Sequence, residues 1–215
     1  MNKLKYLYAL TYQPINYLAH AYLSFNEPEV LVGNMISDFV KGKKKFDYPP
    51  GIQKGIIIHR EIDFFTDNHV ATKRAKEFFR PAYRLYSGAF VDVVYDHFLA
   101  ADVEEFPSNT LFDFSQEVYS VLDKQFSWLP ERFAAMFPYM RSQNWLYNYR
   151  YLAGTEKSFG GLVRRSAYLT ESHTAFNLFR QYYQPLLDCY RQFWKDVKTF
   201  AWRRFNELSV TDNNM

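Results

Sequence analysis

The apolar positions of this chain recur every three to four residues over most of its length, and short segments rich in Pro, Gly, Asn and Asp interrupt them. This spacing is typical of amphipathic helices. It predicts helices over about 16–24, 26–41, 49–66, 67–79, 83–101, 111–128, 131–142, 144–152 and 156–166, and a long helical region over 174–208 that is kinked or restarts at Pro185. No segment alternates like a strand between turns, so we predict an all-α fold.

The boundaries between these segments carry helix start and stop signals. Asn26 is predicted to cap the second helix, with Glu29 at the capping-box position, and Gly42 is predicted to end it. Asp67 or Asn68 is predicted to cap the fourth helix.

Length and composition indicate one domain. At 215 residues the chain can bury a sizeable core. We predict a single-domain helical bundle over 15–209, an N-terminal extension over 1–14 and a frayed polar tail over 210–215. Aromatic residues make up 20% of the chain, enough to line a deep pocket with rings.

Charge and cysteine content exclude several classes of protein. The formal net charge of +3 carries no general nucleic-acid signature, so no nucleic-acid partner is expected. Cys189 is the single cysteine, which excludes an intrachain disulfide and a cysteine-rich zinc site. No apolar run reaches the roughly 20 residues that span a bilayer, and no signal-peptide pattern occurs. We therefore expect a cytoplasmic protein without membrane insertion; the sequence does not indicate an oligomeric state.

Four polar pairs at spacing i, i+4 stand out in the first half of the chain. In a helix, this spacing brings two side chains onto one face, about 5–6 Å apart at Cβ. Each pair lies on a different predicted helix. The pairs are Asn16 with His20, Asn34 with Asp38, His59 with Asp63, and Asp92 with Asp96.

The apolar surroundings of these pairs suggest a metal site. His59 and Asp63 belong to a helix that is apolar on nearly every face, where an unpaired carboxylate costs several kcal/mol. Asp92 and Asp96 place two like charges among apolar neighbours, and Asp38 adds a third acidic position. A bound divalent cation would relieve the repulsion. Such ligands suit manganese, iron, magnesium or zinc.

Other interpretations remain open for individual residues. One His–Asp pair is more often a simple hydrogen bond than a ligand set. Asn16 and Asn34 can instead cap helices or bind backbone groups. His173 is isolated, and Cys189 is a typical core residue. The chain has no Gly-rich phosphate loop, Ser nucleophile elbow or HExxH motif.

Four segments together resemble the acyl carrier protein phosphodiesterase family in order and spacing. They read NYLAH at 16–20, GNMISDF at 33–39, HREIDFFTD at 59–67 and DVVYDHFL at 92–99. The resemblance covers about 15–205 and is strongest before residue 100. It implies an HD-domain-like helical fold, a divalent metal, typically manganese, and hydrolysis of 4′-phosphopantetheine from the serine of holo acyl carrier protein.

Two features depart from the family pattern. Asp96-His97 reverses the His-Asp order that is usual in the HD-type phosphohydrolases, to which this family is distantly related. Adjacent helical residues diverge by about 100°, so Asp96 and His97 need not bind the same metal. Family members usually begin with Met directly before the NYLAH segment, where this chain has Ile15. Residues 1–14 are therefore expected to come from an upstream start and to be dispensable.

The resulting hypothesis assigns roles to the candidate residues. Four side chains bind one or two divalent metal ions. His20, Asp92 or His97 supplies an additional ligand, orients the metal ligands or transfers a proton. Arg60 either clamps a phosphoryl oxygen or forms a structural ion pair. The four predicted metal ligands are Asp38, His59, Asp63 and Asp96.

Carrier proteins are acidic, so a basic docking face is expected, although a run of lysines can also be a solvated loop. Two groups of basic residues are the candidates: Lys41, Lys43, Lys44 and Lys45 in one, Lys73 and Arg74 in the other.

Three alternative functions fit part of the pattern. A metallo-phosphohydrolase on the same scaffold would cleave nucleotides or other small phosphodiesters. A helical lipid- or cofactor-binding module would bind a ligand without turnover. In a purely structural protein, arginines would pair with the acidic residues and leave no metal site.

Overall fold

The computed structural model describes residues 16–212, and this range forms α-helices joined by short 3-10 turns, without a strand. The prediction of an all-α fold is confirmed. The predicted extension at 1–14 lies outside the described residues, as do 213–215. The helices are α1 (Tyr17–Tyr22), α2 (Pro28–Ile36), α3 (Pro50–Asn68), α4 (Val70–Tyr83), α5 (Ser87–Ala101), α6 (Thr110–Lys124), α7 (Glu131–Ser142), α8 (Trp145–Asn148), α9 (Leu152–Arg165), α10 (His173–Gln181) and α11 (Tyr183–Asp212).

Two predicted boundaries around α2 and α4 were wrong. Helix α2 does not continue to 41; it ends at Ile36 and passes into a 3-10 turn, Ser37–Phe39. Because α3 runs on to Asn68, neither Asp67 nor Asn68 caps α4. His69 does so instead: its Nδ1 accepts the backbone N–H of Ala71 at 3.2 Å.

Two proline-dependent predictions also changed. Helix α4 passes through Pro81 and stops at Tyr83, where Arg84 adopts a positive φ of 47°, so α5 begins only at Ser87. The last helical region breaks at Tyr182, between α10 and α11, and not at Pro185. Pro185 lies in the first turn of α11, where a backbone N–H has no helical acceptor.

Helices α2 and α3 approach each other unusually closely, and two glycines make this possible. A Cβ on Gly33 would lie 2.1 Å from the carbonyl oxygen of Ile52, and one on Gly55 would lie 2.2 Å from that of Val30. Such distances are far inside van der Waals contact, so any larger residue would force the helices apart. The crossing brings the residue after Gly33, Asn34, next to the middle of α3.

The long helix α11 supports the other side of α3, α4 and α5. Arg204 on α11 binds Glu61 on α3 through two N–H groups, at 2.8 and 2.9 Å. Lys198 binds Glu105 at 2.6 Å. These pairs tie α11 to α3 and to the segment after α5, while a polar cluster lies where α1, α2 and α3 meet. Within 16–212, no helix combines the length and apolarity needed to cross a bilayer.

Candidate metal centre

The cluster is built on one turn of α3. His59 and Asp63 share a face of this helix, as their spacing predicts, and His59 Nε2 lies 3.1 Å from Asp63 Oδ2. Asp38 reaches the same nitrogen from the 3-10 turn after α2, with its Oδ1 at 3.4 Å. His59 is buried, whereas the Asp63 side chain is 35% exposed. The cluster therefore opens to solvent on the carboxylate side.

A second imidazole enters from α1. The ring of His20 stacks on that of His59, with centroids 3.8 Å apart and an interplanar angle of 17°. His20 Nε2 lies 3.2 Å from Asp63 Oδ1. The carboxylate of Asp63 thus bridges two parallel imidazoles, one oxygen toward each. Because both Nε2 atoms face the same carboxylate, they point the same way.

Asn34 orients both imidazoles. Its side-chain Oδ1 lies 2.9 Å from His20 Nδ1, and its backbone carbonyl oxygen lies 2.7 Å from His59 Nδ1. Both partners are acceptors, so each imidazole donates from Nδ1 and keeps the lone pair of Nε2 free in its neutral form. Asn34 Nδ2 donates to the carbonyl oxygen of His20 and to Ser24 Oγ, which sets the orientation of the amide.

These donor atoms fit a divalent cation. Among the described residues, the Nε2 atoms of His20 and His59 are buried and make no hydrogen bond, although carboxylate oxygens lie close to them. Donor atoms of His20, His59 and Asp63 all lie within 4.8 Å of one another. Two aligned imidazole nitrogens and a carboxylate are ligands for divalent transition metals. The residues present can therefore hold such an ion, with Asp38 as a further carboxylate.

Charge and burial shift the pKa values of these groups in opposite directions. Burial, reinforced by the charge of His59, lowers the pKa of His20. Burial also acts to lower the pKa of His59, but Asp63 and Asp38 outweigh it and raise this pKa well above its usual value. Burial acts to raise the pKa of Asp63, and the two histidines outweigh it and lower that pKa. In the metal-free protein, the proton of the cluster therefore resides on His59.

Cation binding should release about one proton per ion at pH 6.5, because a ligand histidine must be neutral. His59, with its raised pKa, is protonated at that pH before the cation binds, whereas His20, with its lowered pKa, is not. The affinity for the cation should accordingly fall as the pH decreases. Titration calorimetry with Mn²⁺ in two buffers of different ionisation enthalpy measures the proton count.

The exposed His173 supplies a control for this measurement, because it pairs with Glu171 at the surface and is not part of the cluster. His173→Gln should leave the proton count unchanged. Binding of Mn²⁺ with no proton release at pH 6.5 would contradict the predicted state of His59.

Replacing Asn34 with Ala should raise the Kd for Mn²⁺ by about 10- to 100-fold, the usual cost of losing a group that orients a metal ligand. The His20 imidazole loses its Nδ1 acceptor, while the backbone carbonyl that holds His59 remains. Metal content and calorimetry measure the effect. Ser24→Ala is the matched control, since Ser24 contacts Asn34 Nδ2 but no imidazole; equal losses in the two variants would contradict a specific role for Asn34.

Asp96 and His97 do not join the cluster, which corrects their predicted placement. Asp96 is fully buried, and its two oxygens accept the backbone N–H groups of Leu18 and Ala19 at 3.0 and 2.8 Å. Burial raises the pKa of Asp96 well above its usual value, opposed by these two donors. Its carboxylate thus serves the N-terminus of α1, where the first N–H groups lack helical acceptors.

His97 points in a different direction. Its Nδ1 lies 2.8 Å from the carbonyl oxygen of Tyr149 and its Nε2 lies 3.1 Å from Tyr183 Oη. Burial lowers its pKa. These contacts join α5 to α8–α9 and α11, so the geometry assigns His97 to packing rather than to proton transfer. The divergence expected for neighbouring helical residues accounts for the separation of Asp96 and His97.

Two other candidates lie near the cluster with different surroundings. Asp92 is half-buried and lines a small cavity together with Asn16 and Thr66; its role in proton transfer stays a prediction. Arg60 donates from Nη2 to the carbonyl oxygen of Val40 at 2.6 Å. This bond ties the segment after Asp38 to α3. The contact of Arg60 is therefore structural, but it is a hydrogen bond to the backbone and not an ion pair with an acidic side chain.

The two predicted docking groups are both mostly exposed and differ in their contacts. Lys41, Lys43 and Lys44 are exposed in or beside the 3-10 segment Gly42–Asp47, while Lys45 is half-buried with its Nζ 5.1 Å from the centre of the Phe46 ring. On α4, Lys73 is exposed. Arg74 donates to Cys189 Sγ and to Gln192 Oε1 on α11, at 3.2 and 3.1 Å, which is a packing contact.

Comparison with known proteins agrees with this arrangement. A sequence model described as acyl carrier protein phosphodiesterase matches residues 15–197. The chain belongs to the acyl carrier protein phosphodiesterase family. The match includes all four segments that carry the polar pairs, and so the complete cluster of His20, Asp38, His59 and Asp63.

Individual members of this family are similar over most of their length. A protein named acyl carrier protein phosphodiesterase from Yersinia pestis is 35% identical over 181 residues, covering 84% of this chain and 94% of that protein. A protein of the same name from Enterobacter sp. (strain 638) is 32% identical over 186 residues, covering 86% and 87%. No solved structure matches the chain, so the HD-like arrangement within the all-α class stays a prediction.

Proposed function

We propose that this protein hydrolyses the phosphodiester that links 4′-phosphopantetheine to holo acyl carrier protein, giving apo carrier protein and 4′-phosphopantetheine. The observation that carries the proposal is the pair of parallel imidazoles, His20 and His59, whose buried Nε2 atoms face the two oxygens of Asp63 at 3.2 and 3.1 Å. Family membership supports a phosphodiesterase reaction. We place the reaction in the cytoplasm.

The side chains of the cluster have separate roles in this proposal. A divalent cation, Mn²⁺ in our proposal, would supply Lewis-acid activation of the phosphodiester and of water. His20 and His59 provide nitrogen ligands held by Asn34, and Asp63 and Asp38 provide negative charge on the open side. Asp92, half-buried on α5, is the candidate for accepting a proton from water. Mg²⁺, Fe²⁺ and Zn²⁺ are the other ions to be compared.

Carrier-protein docking is proposed for the lysine-rich segment Gly42–Asp47, together with Lys41. This segment follows Asp38 directly in the chain. It also exposes an apolar ring, Phe46, which is 62% accessible, and Phe64, directly after Asp63, is 73% accessible. Exposed cations around an apolar contact suit a negatively charged protein partner, and the cations chiefly steer its approach.

Reversing the charge of Lys41, Lys43 and Lys44 together to Glu should raise KM for holo carrier protein by about 10-fold and leave kcat within about twofold, because the residues act on the encounter. The dependence of kcat/KM on salt should weaken at the same time. The control carries Glu at Lys124, Lys195 and Arg132, exposed positions on other helices. A KM equally altered by the control would sink the docking assignment.

The direct test is mass spectrometry of purified holo acyl carrier protein incubated with this protein, with Mn²⁺ and with chelator. Loss of the 4′-phosphopantetheine mass with Mn²⁺, and none with chelator, is expected. Cleavage of small phosphodiesters without action on carrier protein would favour the nucleotide-directed alternative. Absence of turnover with every cation tested would favour the ligand-binding alternative.

A further inference from the structure

A cavity of about 490 Å³ lies in the second half of the chain, and no residue of the metal cluster lines it. Its volume falls within the range of small-molecule sites. One wall is a single stripe of α9, since residues 154, 157, 158, 161, 164 and 165 recur at helical spacing. The opposite wall comes from α8 and its flanks. We call this cavity the Trp145 pocket, after one of its lining residues.

Two glycines of α9, Gly154 and Gly161, shape the wall of the Trp145 pocket. A Cβ on Gly154 would lie 1.9 Å from the carbonyl oxygen of Asn148, so only glycine allows α8 and α9 to approach this closely. A Cβ on Gly161 would lie 3.1 Å from the Arg165 guanidinium. A larger residue at 161 would displace that guanidinium from the pocket wall.

The charged side chains of the Trp145 pocket are all cationic. Lys157, Arg164 and Arg165 line it, and no Asp or Glu does. Lys157 and Arg164 form no ion pair with the described part of the chain. The charge of Arg165 counteracts part of the rise in the pKa of Tyr149, a buried residue that also lines the pocket. A pocket lined by three cationic side chains and by no acidic one attracts an anion, and guanidinium groups match the geometry of phosphate.

The other wall offers flat aromatic surfaces. Trp145 is half-buried and its Nε1 donates to Gln143 Oε1 at 3.1 Å, which holds the indole in place. Tyr151 is 48% exposed, and the Arg150 guanidinium lies 5.5 Å from its ring centre. Rings held in this way present rigid faces to a planar or amide-containing group.

We propose that the Trp145 pocket binds a phosphate-bearing small molecule, with the phosphate against Lys157, Arg164 and Arg165 and the organic body against Trp145 and Tyr151. This site is separate from the metal cluster and does not depend on the proposed reaction. Two sources of such a ligand share this chemistry: 4′-phosphopantetheine and a nucleotide such as ADP.

Titration calorimetry of the full chain in chelator tests the proposal with 4′-phosphopantetheine, ADP, inorganic phosphate and pantetheine. At least one of the two phosphorylated organic probes should bind ten times more tightly than both inorganic phosphate and pantetheine. The tighter of the two identifies the source. If neither phosphorylated organic probe binds more tightly than both inorganic phosphate and pantetheine, the proposal is overturned.

Variants locate the binding site. Lys157→Glu and Arg164→Glu, both at exposed positions, should each weaken binding at least tenfold without altering the thermal unfolding temperature. Arg180→Glu, an exposed position on α10, is the matched control and should bind like the parent protein. Asp63→Asn should also leave binding unchanged. Retained binding in both pocket variants, or loss of binding in Asp63→Asn, would overturn the assignment to this pocket.

Discussion

Replacing Asp63 with Asn should lower kcat/KM for holo carrier protein by about 10³-fold or more. The substitution keeps the shape of the side chain but removes the charge that bridges His20 and His59. Lewis-acid activation is worth several kcal/mol, and each 1.36 kcal/mol corresponds to tenfold in rate. Mass-spectrometric turnover assays, with the bound metal measured in parallel, give both the activity and the occupancy.

Asp67→Asn is the matched control for this variant. Asp67 is exposed on the last turn of the same helix and pairs with Lys76 at 2.6 Å. It undergoes the same chemical change and should keep activity within about twofold, as expected of a surface ion pair. If Asp63→Asn kept more than a tenth of the activity, the cluster would not be the catalytic centre.

Replacing Asp96 with Ala should lower the free energy of unfolding by about 3 kcal/mol. The change leaves the N–H groups of Leu18 and Ala19 without their buried acceptor, and each such loss costs about 1–3 kcal/mol. For a chain of this size, the unfolding temperature should fall by roughly 6–12 °C. Denaturant unfolding followed by circular dichroism measures the free energy directly.

Two further variants test whether the stability depends on the hydrogen-bond acceptors of Asp96 or on the loss of any acidic side chain. Asp96→Asn keeps one acceptor oxygen and should lose about half as much stability as Asp96→Ala. Asp113→Ala, at an exposed position in the first turn of α6, should change stability by no more than about 0.5 kcal/mol. A loss below about 1 kcal/mol in Asp96→Ala would show that α1 does not depend on this carboxylate.

Asn34 is the residue whose importance the sequence pattern understated. Its i, i+4 pairing with Asp38 marked a polar face but left its role open between the shared polar site, a helix cap and a bond to the backbone. In the structure, Asn34 binds His20 through its side chain and His59 through its backbone. The signal available in the sequence was an asparagine, Asn34, that directly follows a glycine, Gly33, within an otherwise apolar helix. That combination is expected where two helices cross closely.

For the aromatic residues, composition predicted that rings could line a pocket but did not predict where the pocket lies. Phe39, Phe65 and Tyr95 lie in three of the four segments that carry the polar pairs. Their rings pack against Phe133, Phe200 and Phe193, respectively. A cavity with aromatic walls lies around Trp145 and Tyr151, where the local pattern indicated only short helices. Composition counts rings but carries no information on which of them face a void.

The amino-acid sequence by itself determined the all-α class, most helix positions and the pairing of His59 with Asp63, because helical periodicity and i, i+4 spacing are local properties of the chain. Only the tertiary structure decided that His20 and Asp38 join this pair while Asp96 and His97 do not. Asp96 binds backbone N–H groups at the N-terminus of α1, and His97 binds a backbone carbonyl oxygen at the end of α8. Which partner a buried polar side chain meets depends on the helix crossing set at Gly33 and Gly55, and that crossing joins residues distant in the chain.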